Sequence, residues 1–144
     1  MPLRAVLFVL AAGLALATSA SAADLRLSDA WVRLIPGGAP AAGYFTLHND
    51  GPVDLRLEGA SSPDFGMAEM HRTMTDGGRT TMEPVDSAVV PAHGTLAFAP
   101  GGYHLMLMHP KPGLKPGDQA TVALKLSGGR TLTAAFPVRG PAGR

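Results

Sequence analysis

From Leu25 onward the chain is cut into short runs in which apolar and polar residues alternate, and nearly every run closes on Gly, Pro, Asn or Asp. The runs fall near residues 25–34, 43–48, 53–59, 67–75, 79–85, 94–99, 103–109, 119–126 and 130–138. Alternation with a period of two sends successive side chains to opposite faces of a strand. The separators IPGGAP, HNDGP, TDGGR, PAHG, APGG, PKPGLKPGD and SGGR supply positive φ through Gly and fixed turns through Pro. No segment carries a helical apolar repeat, so the pattern predicts an all-β chain folded as an antiparallel β-sandwich or barrel.

The first residues differ from the rest. Arg4 precedes an apolar run from Ala5 to Ala17, followed by Ala20-Ser21-Ala22. This is the pattern of a cleavable secretory leader, residues 1–22, with the domain on residues 23–144. The apolar run is shorter than the roughly 20 residues a membrane-spanning helix needs. Cleavage removes Arg4 and no acid, leaving 11 basic residues against 11 acidic ones. A neutral domain of this kind has no electrostatic footprint for nucleic acid. Cysteine is absent, which excludes disulfides, thiolate metal sites and the acylated cysteine of a lipoprotein anchor. The expectation is a monomeric periplasmic or secreted protein without a membrane anchor.

Two places concentrate metal-ligating side chains. In EMHRTMTDGGRTTMEPV, residues 69–85, a two-residue turn at Asp76-Gly77 pairs His71 directly with Met82 on one face and sends Met70 and Met74 to the other. A three-residue turn through Gly78 would instead oppose His71 to Glu83 and break the pair, because a slip by one residue reverses the faces. In GGYHLMLMHP, residues 101–110, His104 and Met106 stand two apart and share a face. If this strand passes beside the hairpin, two His–Met pairs converge. Imidazole and thioether without thiolate or carboxylate suit Cu(I), a soft d10 ion, better than zinc.

Methionine is also an adaptable filler of cores, and one methionine on a strand reads first as packing. Here, however, all six methionines after Met1 lie between residues 67 and 108, and four of the five histidines lie between 71 and 109. Such clustering weakens the packing reading.

The spacing His71, ten residues, Met82, twenty-one residues, His104, one residue, Met106 resembles the H-x10-M-x21-H-x-M signature of the PCuAC periplasmic copper chaperones. The flanks AWVRLIPGGAPAAGYFTLHNDG and VPAHGTLAFAPGGYHLMLM with LKPGD are similar as well. The resemblance implies a cupredoxin-like barrel that binds one Cu(I) through His71, Met82, His104 and Met106. It also implies a partner: the copper-site subunit of cytochrome c oxidase, or another periplasmic copper carrier. The tail FPVRGPAGR lacks the His- and Met-rich extension of some relatives.

Other residues read differently. Met108 shares parity with His104 and Met106 and is a candidate auxiliary ligand, and His109 is a neighbour of unassigned role. Met67, Met70 and Met74 read as core or rim, His48 and His93 as solvated loop histidines, and Trp31 and Tyr103 as core aromatics. Glu69 and Glu83 flank the ligands and read as surface charge, with an imidazole-orienting role as the alternative. A blue-copper electron carrier needs a Cys thiolate, and no nucleophile with an oriented base is visible, so the chain is not expected to be an enzyme. The competing reading is a metal-free β-sandwich binding module of the cell envelope.

Overall fold

Alternating runs become strands here because each has one apolar row to bury. The computed structural model describes residues 24–144; the expected leader lies outside them. Among the described residues are ten strands: β1 (Leu25–Arg33), β2 (Ala41–Asn49), β3 (Leu55–Ser61), β4 (Phe65–Asp76), β5 (Arg79–Pro84), β6 (Ala88–Val90), β7 (Gly94–Phe98), β8 (Tyr103–Pro110), β9 (Gln119–Leu126) and β10 (Arg130–Arg139). The all-β reading holds, and nine of the ten strands coincide with the alternating runs. Only β6 has no counterpart, since three residues carry too little alternation to register. Among the described residues no helix is long and apolar enough to cross a membrane.

Hydrogen bonding is continuous in the order β5-β4-β8-β7-β2-β1-β10-β9-β3-β6, with β8 also paired to β2. Most junctions are antiparallel; β1–β10 and β7–β8 are parallel. The ribbon folds over so that β3 lies against β4 and β6 against β7. Between the layers sit Phe45, Phe98, Phe136, Leu47, Leu57, Leu105, Leu107, Leu124, Leu126, Val32, Val90 and Val122, all fully buried. Phe45 stacks on Phe98 at 4.5 Å between ring centroids and meets Phe136 edge-on at 5.9 Å, geometries that aromatic rings prefer to a flat sandwich.

Two departures from regular pairing position the outer face. A bulge shifts the β1–β2 register between Ser28 and Trp31, where Asp29 takes φ 54°. The extra residue reverses the faces of β1 beyond it, so Val32 and Leu34 turn inward and Trp31 and Arg33 turn outward. Trp31 is therefore not a core aromatic. Its ring lies 4.9 Å from Tyr44, and Arg33 and Arg139 stack over it at 5.4 and 5.1 Å. Tyr103, by contrast, is partly buried against the core and stacks on Phe98 at 5.4 Å.

The second departure is the β4–β5 hairpin. Asp76 pairs with Arg79, Thr73 with Met82 and His71 with Pro84. The two-residue turn is Gly77-Gly78 rather than Asp76-Gly77, displacing the expected register by two. A type I′ turn needs positive φ at both central positions; Gly77 and Gly78 have φ 55° and 78°, a conformation that two glycines adopt at less cost than Asp76 with Gly77. A displacement of two preserves every face. His71 and Met82 therefore remain on one side as diagonal neighbours instead of a direct pair, and Met70 and Met74 remain on the other.

Candidate metal centre

Strand β4 lies antiparallel to β8, and its ladder sets the site. His71 is directly opposite His104, Glu69 opposite Met106, and Met67 opposite Met108. Directly opposed residues share a face, so these six side chains lie on one outer surface, with Leu105 and Leu107 pointing into the core behind them. Met82 joins this surface through its pairing with Thr73. From the other side β2 sets Ala42 opposite Met106. Gly43 lets β2 approach, since a Cβ there would meet the Leu105 Cβ at 3.1 Å.

The imidazoles are buried although their face is outward. His71 is 8% exposed and His104 7%, with ring centroids 5.8 Å apart and planes inclined by 35°. A pocket of about 300 Å3 opens beside His104, lined by Met82, His104 and Met106, by Arg33 and Tyr44, and by the segments around Pro40 and Pro100; His71 does not line it.

Hydrogen bonding assigns a role to each ring nitrogen. His71 Nε2–H donates to Glu69 Oε2 at 2.9 Å, which leaves Nδ1 with the lone pair. That Nδ1 is buried and has no hydrogen-bond partner. His104 Nδ1–H donates to the Gly102 carbonyl oxygen at 3.4 Å, leaving Nε2 with its lone pair. Burial lowers the His104 pKa from its ordinary value; the Gly102 bond opposes this, and the charge of His71 adds to it. The fold thus favours a neutral imidazole, the form that binds metal.

A lone-pair nitrogen buried without a donor is costly, and a metal cation would satisfy it. Among the described residues no three His, Cys, Asp or Glu side chains gather as a metal-binding set. The soft donors nearest at hand are thioethers: Met82 and Met106 line the pocket beside His104. The donor set fits a soft monovalent ion.

Several expectations change at this site. Glu69 is no mere surface charge: its carboxylate fixes the His71 tautomer, an arrangement familiar from metal-bound histidines. Glu83 pairs with Arg72 in the ladder and faces away. His48 is a strand residue sharing a 2.7 Å hydrogen bond with Ser28, while His93 is an exposed turn residue with φ 53°. His109 also has positive φ and lies over Gly66, where a Cβ would come within 3.0 Å of its own, not on the His104 face. Arg33 and Tyr44 had no site role in the sequence reading. The signal was the parity change from Leu25 and Leu27 to Val32 and Leu34, which marks the bulge that turns Arg33 outward.

Known proteins carry this architecture. The family model described as "Putative lipoprotein LpqE-like" matches residues 25–138. A putative lipoprotein of Leifsonia xyli, Lxx21020, is 36% identical over 116 residues, 80% of this chain and 69% of its own length. An uncharacterized protein of Rickettsia prowazekii, RP573, is also 36% identical, over 55% of this chain and 44% of its own. The copper-bound PCuAC domain from PmoF2 superposes with TM-score 0.68 over 82% of this chain and 94% of that one; at 23% identity it shows the shared fold. The solution structure of Cu(I)-DR1885 from Deinococcus radiodurans is 35% identical with TM-score 0.62, covering 76% of this chain and 74% of that one. With nearly the whole described chain inside one family model and a relative alignable over most of both lengths, this chain belongs to the LpqE-like family.

Proposed function

We propose that this protein is a copper carrier of the bacterial periplasm that binds one Cu(I) through His71, Met82, His104 and Met106. The observation that carries the reading is the buried, partnerless Nδ1 of His71 beside His104, with Met82 and Met106 lining the pocket that His104 also lines. Two neutral imidazoles and two neutral thioethers suit soft Cu(I) over the more highly charged Cu(II). The 35% identity with a protein solved in its Cu(I) form supports the same assignment.

Neutral ligands at a half-open pocket allow exchange, which is what a carrier needs. The proposed acceptor is the copper-site subunit of cytochrome c oxidase or another periplasmic copper carrier, and the protein performs no catalysis of its own. Export rests on the leader-like residues 1–22, and the sequence contains no cysteine to acylate. Thioethers are not consumed by disulfide formation in an oxidising compartment, although they can form sulfoxides.

Titration against a Cu(I) chelator under reducing conditions tests the reading. One tightly held equivalent is expected, with Zn(II) and Cu(II) bound more weakly. Zinc binding at equal or higher affinity would overturn the soft-site assignment. Transfer to an apo copper-site domain of the oxidase, followed by its visible absorption, tests the acceptor.

A further inference from the structure

The β4–β8 ladder continues past the His–Met site, and so do its soft donors. Met67 and Met108 are directly opposite each other, on the same face as His71 and His104 and two rungs beyond them. The intervening rung is Glu69 and Met106. We propose that Met67 and Met108, with Met106 reaching from the next rung, form a second, thioether-only site for a soft monovalent cation, Cu(I) or Ag(I).

Three observations carry the assignment. Directly opposed side chains on one face have Cβ atoms about 5 Å apart, within the reach of two long thioethers around a single ion. Met67 is 46% exposed and Met108 half-buried, so neither fills the core, whose places on these strands are taken by Met70, Leu105 and Leu107. Finally, Met106 stands one same-face step, roughly 7 Å, from both His104 and Met108. Its flexible side chain is therefore shared between the two sites and offers a route along the sheet from Met67 and Met108 to the imidazoles. The Glu69 carboxylate between the rungs adds negative charge that favours a cation there.

The second site is the softer and weaker of the two, because thioethers alone donate less strongly than imidazoles. It does not require the His–Met site to be loaded, which makes the two separable by experiment. The full domain carrying 13C-methyl methionine is titrated with Ag(I), a redox-inert probe, and each methyl resonance is followed. Met82 reports on the first site and Met67 and Met108 on the second, while Met106, shared between them, responds to both. Met74, which is partly exposed and lies on the opposite face, reports adventitious binding to any methionine.

The first equivalent is expected to move Met82 together with Met106, and the second to move Met67 and Met108 and to shift Met106 again, with Met74 unmoved. The double variant Met67→Leu/Met108→Leu should lose the second equivalent and keep the first, with an unchanged thermal melt. The proposal is overturned if the Met67 and Met108 methyls stay fixed, if Met74 moves together with them, or if the double variant retains its second equivalent. Movement of Met67 and Met108 without Met82 would uphold this site while removing the function proposed for His71 and its partners.

Discussion

His71 and His104 face each other across β4 and β8 with ring centroids 5.8 Å apart, and each spends one ring nitrogen on an oxygen acceptor. Glu69 and the Gly102 carbonyl thus hold the rings so that one lone pair of each is free. Strand register, not loop conformation, sets the distance between them. Ligands mounted on paired strands keep their geometry better than ligands on loops, which lets the site bind without ordering a segment.

The first prediction concerns acid. His104 is buried, and its pKa lies below the free imidazole value of about 6.5. An imidazole with a lowered folded pKa is bound by more protons in the unfolded chain, so stability falls as pH drops from the unfolded value through the lowered native one. The thermal midpoint should decline over that window, and His104→Gln should flatten the decline. NMR titration of the ring protons should place the His104 midpoint below that of a free imidazole; a midpoint at or above it contradicts the burial argument. For the same reason His104 should keep its metal-binding form further into acid than an unburied histidine would.

The second prediction separates ligands from packing. Met82 is 57% exposed, whereas Leu105 and Leu107 are fully buried on the other side of β8. Met82→Ala should lower copper affinity with little change in stability. Leu105→Ala and Leu107→Ala should each cost about 2 to 5 kcal/mol, the usual range for a core leucine. Circular dichroism melts and competitive Cu(I) titration on the same variants read both quantities. Loss of fold in the Met82 variant with undiminished affinity would make that residue packing.

Alternation and turn residues were enough to read the strands, and period-two parity put His104 and Met106 on one face and, given a two-residue turn, His71 and Met82 on one face. What they could not supply was register. Whether the hairpin turns at Asp76-Gly77 or Gly77-Gly78 depends on which pair takes positive φ, and both choices contain glycine. The bulge near Asp29 was marked only by the change of apolar parity from Leu25 and Leu27 to Val32 and Leu34, which reading residues 25–34 as one alternating run passes over, so Trp31 was assigned to the core. The pairing of β4 with β8, which sets His71 against His104, joins residues far apart in sequence and is decided by core packing.

A third prediction concerns the support beneath β8. Asp64 is buried, forms an ion pair with Lys111, and accepts the Thr121 amide at 2.7 Å. Both bonds, that of Lys111 foremost, hold its pKa below the ordinary carboxylate value. A depressed folded pKa contributes stability that is present above the unfolded value of about 3.9 and lost as pH falls through the folded one. Asp64→Ala strands the Thr121 amide and should cost about 1 to 3 kcal/mol. Its urea midpoint should then vary less with pH between about 4 and the lowered native value than that of the parent.

The last prediction returns to the turn. Strand β5 is exposed along its whole length and is hydrogen-bonded to β4 alone, so Met82 is held in place by one ladder and one turn. Gly77 and Gly78 at φ 55° and 78° make that turn, and an L side chain in this region costs roughly 1 to 2 kcal/mol per residue. Gly77→Ala/Gly78→Ala should loosen the hairpin and lower Cu(I) affinity by a similar factor to Met82→Ala, while the core melt changes little. Gly77→Asn should restore most of the affinity, because Asn tolerates positive φ. Cu(I) competition with hydrogen exchange at the Met74 and Thr81 amides, which oppose each other in the hairpin, follows both effects; the Thr73 amide donates to Gly102 instead. Wild-type affinity in the double alanine variant would mean that the metal itself, and not the Gly77-Gly78 turn, positions the Met82 thioether.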